Sequence, residues 1–78
     1  MERYAVVELQ LNPNGAIGNL VTDHGTDKAA ALSHYHMALA SAPASILVAT
    51  TVILQTFYDD RYGGTQAETI NGTGVLAE

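Results

Sequence analysis

The sequence predicts an α+β domain in the order ββαββ, an antiparallel sheet with a single helix packed on one face. Three observations predict it: strict alternation in the first strand, an alanine-rich helical stretch stopped by a proline, and a long β-branched run beyond it. At 78 residues the chain holds one small domain, 1–78.

From Tyr4 to Leu11 the residues alternate, with Ala5, Val7, Leu9 and Leu11 on one side and Tyr4, Val6, Glu8 and Gln10 on the other. That is the period of a half-buried strand. Asn12-Pro13-Asn14-Gly15 supplies turn chemistry, because proline fixes φ and the Asn-Gly pair accepts the positive φ of a hairpin. A shorter strand follows over 16–22, with Gly18 expected at a bulge.

Thr26 is the expected helix N-cap, and Asp27 sits where its charge suits the helix dipole. The stretch to Ser41 is rich in Ala, Leu and Met, and Pro43 ends it. At 100° per residue Tyr35, Leu39, Leu32, His36, Ala29 and Ala40 form one stripe, which is the expected core face. His34, Ala38, Ser41 and Ala30 lie opposite.

The run 46–57 is apolar on both sides, as a central strand covered twice would be. A loop over 58–64 and a short strand over 65–70 complete the sheet, and 71–78 reads as a flexible tail.

The helical segment Asp27-Lys28-Ala29-Ala30-Ala31-Leu32-Ser33-His34-Tyr35-His36-Met37-Ala38-Leu39-Ala40 has an acidic start, then Ala, Tyr-His and Leu-Ala. In this it resembles small proteins encoded by phages and prophages of gut bacteria, in which a Tyr-His helix lies between two hairpin-like strand pairs. The resemblance covers the layout of residues 4–70 and implies, by analogy, a role against host defence.

Net charge is −5, and from Ala29 to Tyr58 no Asp, Glu, Lys or Arg occurs. A solvated helix and strand normally carry charge, so the expectation is that a second copy covers this segment. Three cations cannot neutralise a nucleic-acid duplex, and the absence of cysteine excludes disulfides and thiolate metal sites. No leader and no apolar run of bilayer length is read, which implies a cytoplasmic chain, the host cytoplasm for a phage protein.

No catalytic constellation is visible. Asp59 and Asp60 beside Arg61 read as turn residues, and no serine has the context of an activated nucleophile. His34 and His36 point about 200° apart on a helix and His24 lies outside it, so neither a metal nor any other cofactor is expected. His36, on the core stripe, is expected to be structural first, with Tyr35 and His36 as the alternative walls of a pocket. Arg61 between Tyr58 and Tyr62 offers an anion-binding and base-stacking cluster, with Arg3 and Lys28 the other fixed positive charges. The expected function is a non-enzymatic homo-oligomer that sequesters a small anionic ligand, a nucleotide immune signal above all. The alternative is an acidic inhibitor of a host nuclease or defence protein.

Overall fold

The computed structural model describes residues 1–77 and has the expected ββαββ order. Strands β1 (Glu2–Leu11) and β2 (Ile17–Gly25) precede helix α1 (Lys28–Ser41), and β3 (Ala49–Tyr58) and β4 (Gly64–Asn71) follow it. The antiparallel sheet has the order β2-β1-β3-β4. The run expected as a strand from Ile46 begins only at Ala49, and a 3-10 turn over Ala42–Ala44 follows the helix at Pro43.

The first turn is closed by Gly15 N–H donating to the Asn12 carbonyl at 2.9 Å, and within this turn only Gly15 takes a positive φ, +89°. Asn14 stays on the ordinary side and instead accepts from Ala16 N–H through Oδ1 at 2.9 Å. The bulge falls opposite Tyr4 and Ala5 rather than at Gly18, and it leaves His24 as the extra residue. Asp27, not Thr26, caps the helix: its Oδ1 accepts from Ala30 N–H at 3.0 Å. A carboxylate at the cap satisfies an orphan donor and meets the dipole with one side chain.

Both β2 and β3 run antiparallel to β1, so they are parallel to each other and α1 is a crossover passing over β1. Such crossovers take one hand almost without exception, so chirality chooses which face the helix covers. The covered face is the more polar side of β1. Tyr4 and Val6 join Val52 and Leu54 of β3 in a core built around Ala31 and Tyr35. The packed line on the helix runs Ala31, Tyr35, Ala38 and Ala42, with Leu32 and Leu39 beside it. His36, Ala29 and Ala40, expected on the core stripe, are exposed, and His34 and Ala38 turn toward the sheet instead. With alanine spread around the helix, hydropathy barely distinguishes its sides. The small residues flanking Tyr35 then let the helix approach the sheet closely.

The other face has no helix. Register sets Val7 between Val21 and Ile53, and Leu11 between Ile17 and Ala49, with Leu9 midway. Leu9, Ile17, Val21 and Phe57 are exposed there. Among the described residues nothing supplies the second cover expected for β3.

Residues 71–77, expected as a flexible tail, are hydrogen-bonded along their length. Gly72, Thr73 and Gly74 donate to the carbonyls of Val48, Ser45 and Leu47, and Ala77 donates to that of Pro13 at 2.7 Å. A Cβ at Gly72 or Gly74 would collide with the carbonyl oxygens of Leu47 or Ile46. Glu78, also in that expected tail, lies outside the described residues.

Candidate functional site

Topology gathers the charges. The start of β1, the end of β2, the start of α1 and the β3–β4 loop all lie at one end of the sheet. That pole therefore carries Arg3, Lys28 and Arg61, together with Glu2, Asp23, Asp27, Asp59 and Asp60. Among the described residues only Glu8 and Glu68 are charged elsewhere. The opposite pole, made of the 12–15 turn, the 42–48 connector and residues 71–77, carries none.

At the charged pole the Arg61 guanidinium carbon lies 4.2 Å from the centre of the Tyr58 ring, a cation–π contact. Tyr62 does not share it, being 98% exposed. Arg3 lies 3.7 Å from Asp23, and the N-terminal ammonium lies 2.8 Å from Asp59. This ammonium, through its hydrogen bond and its charge, holds the Asp59 carboxyl below the usual range. Arg61 and Lys28 make no ion pair among the described residues, which leaves both charges available to an anion. Tyr4 donates to the Glu2 carboxylate, and that bond, with burial, raises its phenol to about 12.

Met1, Arg3, Phe57, Tyr58 and Asp59 line a shallow hollow of about 170 Å³. Pockets that enclose a drug-sized molecule run from about 300 Å³ upward. One chain can therefore hold a phosphate or a ring edge here, but a nucleotide needs further walls.

Two residues of the expected site lie elsewhere. Tyr35 is 1% exposed and belongs to the core. Its buried hydroxyl makes no well-formed hydrogen bond among the described residues, and burial pushes its pKa up, with Glu68 adding to the shift and the nearby Gln66 side chain opposing it. His36 is exposed and meets the edge of the Tyr35 ring at 5.4 Å between centres. It lines no pocket with Tyr35 and is not a packed core histidine.

Comparison with families of known proteins, with curated proteins and with solved structures yields no match. Function must then be argued from the side chains alone.

A third constellation joins β1, β2 and α1. His24, expected to reach neither helical histidine, places Nε2 2.8 Å from Nδ1 of His34. His34 Nε2 in turn lies 3.4 Å from Glu8 Oε2. One signal in the sequence pointed here. Glu8 shares the helix-facing side of β1 with Tyr4 and Val6, and a carboxylate half-buried by a helix requires a partner on that helix. No helix of the structure is long and apolar enough to cross a membrane.

Proposed function

We propose that this chain is a non-enzymatic, self-associating binding module of the cytoplasm. Two copies pack through their open sheet faces, and the charged pole takes a small anionic ligand of nucleotide class. The observation that carries the reading is the uncovered face, on which Val7, Leu9, Leu11, Ile17, Val21 and Ile53 are neighbours.

Several of its polar members are already satisfied by one another. Thr51 and Thr69 hydroxyls lie 2.7 Å apart, Thr65 donates to Gln55 Oε1, and Gln55 Nε2 donates to the Gly64 carbonyl. Arg3 and Asp23 at its end cancel in charge. On burial of this face only Asn19, opposite Leu9, and Asn71, opposite Ala49, are left for the partner copy to meet. Four strands at ~4.8 Å spacing and about eight residues at ~3.3 Å give roughly 500 Å² per copy. Two copies reach the ~1,000 Å² at which a specific interface begins.

The ligand half of the reading rests on Arg61 over Tyr58, a charge beside a flat ring, with Lys28 unpaired at the same pole. Because the hollow there is small, a second copy supplies the remaining walls. The phage-like Tyr-His helix supports the further step, that the ligand is a nucleotide signal of host defence. Calorimetry with cyclic dinucleotides and cyclic ADP-ribose isomers tests it. Wild type should bind one of them, and Arg61→Ala should lose about 1.5–3 kcal/mol of that affinity. No heat from any of them would remove the ligand half.

A second reading is favoured by the carboxylates at the same pole, which outnumber Arg3, Lys28 and Arg61. On it the pole docks on the basic surface of a host nuclease or defence protein.

A further inference from the structure

We propose that His24 and His34 form a binding site for a divalent transition metal of the zinc class, with Glu8 as the carboxylate that orients His34. The site is independent of the ligand reading above. The two ring nitrogens are already adjacent without the ion. His24 Nε2 and His34 Nδ1 face each other at 2.8 Å, with ring centres 5.1 Å apart and planes at 72°. That centre separation is as large as a straight N–H···N contact of this length allows, so each nitrogen points its in-plane axis at the other.

An ion held about 2.0–2.1 Å from each nitrogen at a tetrahedral angle would set the ring centres about 5.2 Å apart. The rings need only pivot to admit it, without moving apart.

The proton count also fits. Glu8, ionised, accepts from His34 Nε2–H, which leaves the His34 Nδ1 lone pair free. Without metal, that lone pair accepts from His24 Nε2–H. With metal, His24 moves its proton to Nδ1 and offers Nε2, so a neutral pair binds the ion without net proton release. A histidine ligand whose second nitrogen donates to a carboxylate is the usual arrangement at protein metal sites, because the carboxylate fixes the tautomer and raises the ligand's basicity. The two ligands come from β2 and α1, so the ion would tie the helix to β2, while Glu8 of β1 holds His34 in place. Among the described residues no three His, Cys, Asp or Glu side chains converge on one point. Two histidines therefore leave coordination positions open for water or an exchangeable ligand.

The test uses untagged full chain, with Zn²⁺ in calorimetry and Co²⁺ in visible absorption. Wild type should take up one ion per chain. His24→Ala should abolish uptake, Glu8→Gln should weaken it by about 10- to 100-fold, and His36→Ala should leave it unchanged. His24 sits at the sheet's bulge, so its variant reports on the ion even where His34→Ala disturbs folding. Uptake retained in His24→Ala, uptake lost in His36→Ala, or none by wild type at millimolar Zn²⁺ would each overturn the proposal.

Discussion

Val7 and Ile53 lie side by side across β1 and β3 on the face of the sheet that no helix covers. Val21 completes the row from β2. On the opposite face the neighbouring pair, Val6 and Leu54, is buried beneath Tyr35. One residue of register thus separates a packed core from an open apolar surface, and the assembly proposed here follows from that separation.

Tyr35 carries the core, yet its buried hydroxyl makes no well-formed hydrogen bond among the described residues, with Gln66 the polar side chain beside it. Removing that oxygen removes a desolvation cost while keeping the ring. Tyr35→Phe should leave stability unchanged or raise it by about 1 kcal/mol, read by urea denaturation. A loss above about 1 kcal/mol would show that the hydroxyl is satisfied in solution.

The tail is part of the fold because Gly72 and Gly74 allow their backbone to lie against Leu47 and Ile46. Gly74→Ala should cost about 1–3 kcal/mol in the same assay, since the collision is with backbone rather than a movable side chain. A neutral result would mean that the segment does not dock.

Asp59 titrates below the usual carboxylate range because the N-terminal ammonium bonds to it. The contribution of this contact is therefore present above the unfolded carboxyl value and is lost as pH falls through the lowered one. Acetylating the N-terminus should return the Asp59 midpoint to the ordinary range in an NMR titration. An unshifted midpoint in the unacetylated chain would show that the pair does not form.

Much of this fold was legible in the sequence. Alternation placed β1, Pro43 marked the helix end, and the β-branched run beyond it marked β3. What was not legible was which faces meet. Both sides of β1 alternate well, and the chirality of the β2–α1–β3 crossover sends the helix to the side of Tyr4 and Val6. The helix rotation was equally hidden, because alanines surround it and the contact between His34 and Glu8 spans two elements. Of the expected site, topology brought Arg3, Lys28, Tyr58 and Arg61 to one pole, while Tyr35 went to the core and His36 and Tyr62 to solvent.

The most direct test of the assembly is sedimentation equilibrium in the micromolar range on wild type and Val21→Glu. Val21 is 64% exposed in the single chain, so the substitution should not disturb folding, which circular dichroism checks. Wild type should show a mass about twice the 8.2 kDa of the chain or a higher multiple, and Val21→Glu should be a folded monomer. A wild type that stays at 8.2 kDa, or a Val21→Glu variant that assembles as wild type does, would contradict the proposed assembly.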